Sequence, residues 1–121
     1  MAPVPISLVG YPVSYEAMER YRVLNNLPNR LFVQDLQSKI NVPLALICVE
    51  EESAGSVSDY YLCCFADCSE RPYEPEDLLA IPVPPAFHQL LQLIPVEGDL
   101  RRLFAPRAIS YFNGLGKSKS E

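Results

Sequence analysis

The spacing of hydrophobic residues predicts two helices near the N-terminus. Apolar residues recur at helical intervals over 15–25, and Ser14 just before them is a typical N-cap residue. A second apolar face predicts another helix over about 30–40. Asn41 can adopt the left-handed conformation that closes a helix, and Pro43 prevents its continuation. The first third of the chain is therefore predicted to be largely helical.

Three apolar runs of strand length predict an antiparallel sheet. Ile6–Val9 is expected to form a short edge strand, followed by a turn at residues 10–12. Two continuous apolar runs lie within residues 43–50 and 58–66, and an acidic and serine-rich stretch separates them. This arrangement predicts a central β-hairpin.

The predicted hairpin is apolar on both faces. In its first strand Leu46 and Cys48 point to one side, and Ile47 and Val49 point to the other. A hairpin with one wet face alternates apolar and polar residues, so both faces of this one must be covered. The N-terminal helices are expected to cover one face. The other needs the C-terminal third of the chain, a partner subunit or a ligand.

The C-terminal third is broken by prolines, since seven of the twelve lie between residues 72 and 106. We expect one further strand over 78–83, a helix that opens at Pro84-Pro85, and a second short helix over 98–104. The whole pattern predicts an α+β fold with a small antiparallel sheet and a helical C-terminal third. One domain is expected over 1–113, with a polar tail over 114–121.

Charge is distributed unevenly along the chain. Residues 1–100 hold five basic and 14 acidic side chains, whereas residues 101–121 hold five basic and one acidic. An acidic body repels phosphate, so nucleic-acid binding is disfavoured. Acidic loops are usually solvated surface, and the alternative is a docking patch for a basic partner.

The four cysteines predict reduced thiols. Cys48, Cys63 and Cys64 lie in apolar runs, where free cysteine acts as a small buried hydrophobe. Adjacent Cys63 and Cys64 point to opposite faces of a strand, so a shared metal ion is disfavoured. These features favour a reducing, cytoplasmic compartment. No apolar run is long enough to span a membrane, and no basic segment marks a secretory signal.

The sequence carries no clear catalytic motif. His88 is the single histidine, and its pairing with a cysteine nucleophile depends on the fold. No glycine-rich phosphate loop is present. The Pro-x-x-Pro spacing in residues 81–85 fits a rigid connector better than a docking motif. Seven tyrosines and no tryptophan suit cores and contact surfaces alike. No catalytic, cofactor-binding or metal-ligating residue is predicted.

Two short segments resemble known families. Residues 41–47, read as Asn-Val-Pro-Leu-Ala-Leu-Ile after an apolar helix, resemble the beginning of a GAF sensor domain. Tyr60-Tyr61-Leu62 followed by Leu79-Ala80-Ile81-Pro82 resembles half of a GyrI-like effector-binding domain. Neither resemblance covers enough of the chain to transfer functional residues, so no family is assigned.

Three hypotheses on function follow from these features. The first is a non-enzymatic protein-interaction module, expected to be a homodimer or an adaptor or regulatory subunit of a larger complex. The second is a small-molecule sensor with an apolar pocket against the sheet. The third is a cysteine- or carboxylate-dependent enzyme. For the first, the predicted interface residues are the following: Ile47, Tyr61, Phe65, Tyr73, Phe87 and Leu91.

Overall fold

The computed structural model describes residues 3–28, 31–50, 59–68, 71 and 73–114 and shows an α+β protein with four antiparallel strands. The predicted loop at 53–56 and most of the tail over 114–121 lie outside the described residues. The elements in chain order are β1 (Val4–Val13), α1 (Tyr15–Leu24), α2 (Phe32–Ile40), β2 (Ala45–Val49), β3 (Asp59–Cys68), α3 (Pro75–Ala80), a 3₁₀ helix (Pro85–Gln89), α4 (Leu90–Leu93) and β4 (Arg101–Asn113).

The four strands close into a barrel in the order β1–β3–β2–β4, with β4 pairing back onto β1. The predicted hairpin is present, because β2 pairs with β3 from Ala45↔Cys63 to Val49↔Asp59. The prediction of β1 as a short edge strand is wrong, and so is the turn at residues 10–12. The strand has ten residues and pairs on both sides, since closure of a barrel removes the edge.

Local capping signals place the two N-terminal helices. The Ser14 hydroxyl accepts a hydrogen bond from the Ala17 amide at 3.0 Å, which begins α1 as predicted. Asn41 adopts the left-handed conformation (φ 60°, ψ 39°) that ends α2, also as predicted.

Two predictions for the C-terminal third are wrong. The strand expected over 78–83 is replaced by α3, because Pro75 occupies the first helical turn and Glu76 and Asp77 complement the helix dipole there. The short helix expected over 98–104 is replaced by β4, so this third of the chain is not wholly helical. Hydrogen bonds to both β1 and β2 outweigh the local sequence preference.

Three β-bulges bend the strands enough to close the barrel. The register shows one extra residue in β3 at Cys64, one in β4 near Pro106, and one in β4 at Tyr111. A bulge tightens the strand twist and leaves its extra residue outside the ladder. The bulge near Pro106 therefore accepts a residue that has no amide hydrogen to donate.

The two apolar faces of the sheet belong to two separate cores. The inner core lies inside the barrel, and its buried members are Ile6, Leu8, Ala45, Ile47, Val49, Tyr61, Cys63, Ala105 and Ala108. The outer core joins the outward-facing Tyr11, Leu46 and Leu62 of the strands to side chains of α1, α2, the 3₁₀ helix and α4. The sequence suggested that the second face is covered by the C-terminal third of the chain, a partner subunit or a ligand. The C-terminal third contributes β4, which closes the barrel around this face.

Candidate functional site

An open groove of about 550 Å³ lies beside the outer core, where α1 meets the strands. We call it the tyrosine groove. Its lining residues are Tyr15, Met18, Glu19, Phe32, Val33, Leu46, Tyr60, Tyr111 and Phe112. Eight of these nine side chains are apolar or aromatic, so the groove presents an apolar floor with few polar groups.

A row of three tyrosine rings follows the groove. The ring centroids of Tyr15 and Tyr60 are 6.3 Å apart, and those of Tyr60 and Tyr111 are also 6.3 Å apart. The interplanar angles are 43° and 32°, so the rings are tilted and not stacked face to face. Tyr15 is 60% exposed and Tyr111 is 57% exposed, whereas Tyr60 is half-buried between them. The row therefore offers aromatic surface to solvent along its length.

Three different elements bring the tyrosines together. Tyr15 is the first residue of α1, directly after the Ser14 cap. Tyr60 lies near the start of β3, opposite Cys48 of β2. Tyr111 is the extra residue of the second of the two bulges in β4. A bulge turns a side chain away from the regular alternation of a strand. The row exists because β4 pairs with β2, and β2 in turn pairs with β3.

Among the described residues, Glu19 is the single carboxylate that lines the groove. Arg22 holds it with two hydrogen bonds, from Nη2 to Oε1 at 2.9 Å and from Nε to Oε2 at 3.3 Å. These bonds lower the pKa of Glu19, and a hydrogen bond from Tyr15 adds to the effect, while desolvation opposes it. Glu19 therefore carries its negative charge at neutral pH at the Tyr15 end of the row.

The central tyrosine keeps its proton at neutral pH. Burial raises the pKa of Tyr60, and the neighbouring Cys48, Tyr111 and Tyr15 raise it further. A protonated phenol both donates and accepts hydrogen bonds. The groove thus combines an apolar floor with the hydroxyl of Tyr60, which also hydrogen-bonds to Cys48.

The six predicted interface residues do not come together at this groove. Ile47 and Tyr61 lie inside the barrel, and Phe87 is fully buried and stacked on Tyr11 at 5.4 Å. These side chains leave almost no surface for a second molecule to contact, because large apolar residues are the ones most often buried in a core.

The remaining predicted interface residues lie elsewhere on the surface. Phe65 and Tyr73 are half-buried and contact each other, with ring centroids 5.8 Å apart. The Tyr73 hydroxyl donates to Asp67 Oδ2 at 2.6 Å. Leu91 is exposed on α4. None of them lines the tyrosine groove. The abundance of tyrosine was the sequence signal for the groove, without indicating which tyrosines would meet.

Burial of two thiols and a hydrogen bond of the histidine describe the groups that could have formed a nucleophile–base pair. Burial raises the pKa of Cys63 well above its ordinary value and also raises the pKa of Cys64, so both stay protonated near pH 7. His88 Nδ1 lies 2.7 Å from the Tyr11 hydroxyl, and the two form a hydrogen bond. Across the described segments, no three His, Cys, Asp or Glu side chains lie close enough to hold a metal ion.

Two further observations bear on the class of protein. Within the part of the chain that the structure describes, no helix has the length and apolarity needed to cross a membrane. No family model matches the chain, and no curated protein or solved structure matches it significantly. These comparisons therefore give no support to the GAF or the GyrI-like resemblance.

Proposed function

We propose that this chain is a non-enzymatic protein-interaction module that binds a segment of a partner protein in the tyrosine groove. The observation that carries the proposal is the row formed by Tyr15, Tyr60 and Tyr111 above an apolar floor. Tyrosine is enriched where proteins bind one another, because its ring buries apolar area while its hydroxyl satisfies polar groups.

Exposure of the tyrosine row favours binding over a purely structural role. Tyr15 and Tyr111 leave more than half of their surface in water, although each contacts another ring. Contiguous apolar surface on a folded protein often marks a binding site. A partner that covers these rings gains hydrophobic stabilisation without any rearrangement of the fold.

The groove also bears on the alternative, a small-molecule sensor. Its volume of about 550 Å³ falls in the range of ligand pockets. Pockets for small molecules, however, bury most of the ligand surface. A groove bordered by rings that are 60% and 57% exposed leaves one side of its occupant in solvent. A continuous chain that enters and leaves the groove fits this shape better.

Chemistry in the groove favours a binding role over catalysis. The lining that the described residues provide includes one carboxylate, already engaged by Arg22, and no thiol or imidazole. The four cysteines, all within the described segments, are thiols and not disulfides, and a reducing compartment such as the cytoplasm suits them. Self-association through an open sheet face loses its basis because β4 closes the barrel. A second copy remains one candidate partner for the groove.

The test is selection of random peptides on the immobilised chain, followed by affinity measurements with groove variants. We expect selected peptides to lose at least about tenfold in affinity for a Tyr15→Ser/Tyr111→Ser variant, since central aromatic contacts dominate interface energies. Tyr73→Ser is the matched control, because it removes a tyrosine outside the groove, and it should bind as the wild type does.

The oligomeric state and small apolar molecules are tested alongside. Light scattering after size exclusion, at low and high salt, shows whether a second copy occupies the groove and whether Tyr15→Ser/Tyr111→Ser releases it. Peptides that bind both groove variants and wild type equally would overturn the proposal. So would a failure to select peptides while an apolar fluorophore binds in the groove, which would establish the sensor alternative.

A further inference from the structure

We infer that the partner segment binds as an extended β-strand, which adds to the end of β4 beside the tyrosine groove. This inference rests on the proposed function and specifies the backbone conformation and the length of the partner segment. Two observations carry it. Among the described residues, 109–113 of β4 pair with another strand on one side only, and two of these residues also line the groove.

The end of β4 extends past the part of the barrel that β1 closes. Within residues 101–108, β4 pairs with β1, and the last of these pairs is Val4↔Ala108. From Ala108 to its end, β4 pairs with β2. Since Val4 is the first residue of β1, no described segment pairs with the other side of residues 109–113. A strand with one side unpaired presents its amides and carbonyls to another chain.

The hydrogen bonds to β2 indicate which backbone groups of this edge are free. Residues of an antiparallel strand alternate between those that bond to the neighbouring strand and those that point away from it. The Arg107 carbonyl and the Gly114 amide each bond to a residue flanking β2, at 2.9 and 2.8 Å. Counting inwards from these two, past the bulge at Tyr111, leaves Ser110 and Asn113 pointing away from β2. Their amides and carbonyls are the groups that an added strand would bind.

The free edge lacks charge and proline, two features by which proteins commonly prevent strand addition. Residues 109–113 read Ile-Ser-Tyr-Phe-Asn, and the arginines and the proline of β4 all precede them. The edge does contain a bulge, which increases the local twist of the strand. The same bulge turns Tyr111 towards the groove, so it fits a binding edge as well as a protected one.

The tyrosine groove adds side-chain contacts to this backbone site. Tyr111 and Phe112 belong both to the free edge and to the lining of the groove. Side chains of an added strand alternate between two faces, so every second one lies beside these two rings. In strand addition the backbone provides affinity, and contacts of alternate side chains provide specificity. The partner segment is therefore expected to match residues 109–113 in length, because Val4 occupies the next position, and to be apolar at alternate positions.

Charge favours a segment of another protein over a second copy of this chain. Each copy carries a net charge of −5, so two copies repel each other. An extended segment of a neutral or basic partner meets no such repulsion, and it brings the same backbone groups to the edge.

Hydrogen exchange tests the free edge before any partner is added. The Ser110 amide should exchange at least about tenfold faster than the Ile109 amide, because the first points away from β2 and the second bonds to it. A peptide from the random selection should then slow exchange at Ser110 more than at Ile109. Equal protection of the two amides in the free chain would mean that this side of β4 is already covered, and it would overturn the inference.

N-methyl groups placed one at a time along a selected peptide test the backbone pairing. A methyl group on an amide that faces β4 removes a hydrogen bond and leaves a carbonyl of the edge unpaired, so affinity should fall about tenfold. The amide of the next peptide residue faces away and should tolerate the methyl group. Fluorescence polarisation should therefore show losses at every second position. Losses at no position, or equal losses at all, would contradict strand addition.

A variant of the chain then locates the edge. Ser110→Pro removes the free amide without removing a hydrogen bond to β2, and strand edges tolerate proline at such positions. It should weaken binding of the selected peptide about tenfold. Ser110→Ala is the matched control, because it keeps the amide, and it should bind as the wild type does. Thermal unfolding of both variants shows whether they fold. If a folded Ser110→Pro binds as tightly as the wild type, the inference is wrong; if it does not fold, the N-methyl peptides decide.

The outcomes separate this inference from the proposed function. If selected peptides lose affinity for Tyr15→Ser/Tyr111→Ser but show no alternating effect of N-methylation, the chain is an interaction module and strand addition is wrong. If no peptide is selected, the proposed function fails and this inference fails with it. A wild-type dimer that Ser110→Pro converts into a monomer would place a second copy on the edge and overturn the choice of partner.

Discussion

Gly10 lies in β1 directly against the backbone of β3. A Cβ atom built at this position would overlap the Leu62 carbonyl oxygen and lie 2.7 Å from Cys63 Cα. Both are backbone atoms of β3, which cannot move without breaking the β1–β3 ladder. Only glycine therefore permits this pairing.

We predict that Gly10→Ala destabilises the fold by about 3 kcal/mol, at the upper end of the usual cost of overpacking a core. Urea denaturation of the two proteins measures the difference. Gly98→Ala is the matched control, since the nearest atoms to its added Cβ are 3.8 Å away, and its stability should stay within about 0.5 kcal/mol of the wild type. Equal stability of both variants would mean that β1 and β3 are farther apart than described.

A second residue-scale feature is the hydrogen-bonded group of Tyr21, Asp35 and Lys39. The Tyr21 hydroxyl donates to Asp35 Oδ2 at 2.6 Å, and Lys39 Nζ lies 3.1 Å from the same oxygen. The hydrogen bond from Tyr21, followed by the contact with Lys39, lowers the pKa of Asp35, while desolvation opposes both. Ionised Asp35 thus contributes stability at neutral pH.

This group makes stability depend on pH in a defined direction. Because the pKa of Asp35 is lower in the folded state, its contribution is present above the unfolded pKa of about 3.9 and is lost as pH falls through the folded pKa. We predict that the urea midpoint of the wild type exceeds that of Asp35→Asn by a constant amount from pH 6 to 8, and that the gap narrows below about pH 4. Glu97→Gln, which changes an exposed carboxylate outside any helix, is the control and should show no gap at neutral pH.

At the scale of elements, the short helix α3 is held in place by a side chain of β4. The helix α3 has six residues, too few to be stable alone. Arg102 of β4 donates to the carbonyls of Leu78 at 2.6 Å and Ile81 at 2.9 Å, at the C-terminal end of this helix. A cation there also complements the helix dipole.

We predict that Arg102→Ala costs about 2 kcal/mol, the usual scale for hydrogen bonds made by a charged group. Hydrogen exchange should show faster loss of protection at the amide of Leu78, which bonds to Glu74 within α3. Arg101→Ala removes an exposed neighbour on the same strand and is the matched control. If both variants exchange alike, α3 is held by its apolar contacts and not by Arg102.

Elements with local signals could be predicted from the sequence, and elements fixed by long-range pairing could not. Ser14 and Asn41 carry their capping roles in their side chains, and the hairpin strands are unbroken apolar runs. In β4 the alternation is interrupted near Pro106 and again at Tyr111, where bulges shift the register. A search for the regular alternation of apolar and polar residues that is typical of a strand therefore fails over β4. The bulge at Tyr111 also explains why the tyrosine row could not be deduced from the sequence, because this bulge sets the position of the Tyr111 side chain.

At the scale of the whole molecule, closure of the barrel decides what each apolar face does. A four-stranded barrel has a narrow interior, and the small side chains of Ala45, Ala105 and Ala108 share it with larger ones such as Ile47 and Tyr61. The sheet face that seemed to require a partner is therefore filled by the chain itself. The surface left for binding is the tyrosine groove on the outside, where α1 lies against the strands.

This arrangement makes a prediction for three of the residues first assigned to an interface. Ile47 is 1% exposed inside the barrel, Phe65 is half-buried against Tyr73, and Leu91 is 48% exposed on α4. Burial of an unpaired charge in an apolar interior costs a free energy close to or above the total stability of a typical domain, which is about 5–15 kcal/mol. We therefore predict that Ile47→Asp does not fold, that Phe65→Asp folds with reduced stability, and that Leu91→Asp folds as the wild type does.

Circular dichroism and light scattering after size exclusion measure fold and mass for the same three variants. An interface and a barrel interior give opposite results for Ile47→Asp. If Ile47 lay at a contact between two copies, the variant would be a folded monomer derived from a wild-type dimer. If it lies inside the closed barrel, the variant loses its strand signal whatever the mass of the wild type. A folded Ile47→Asp monomer would thus contradict the closed barrel itself, and with it the position of β4 that places Tyr111 in the tyrosine groove.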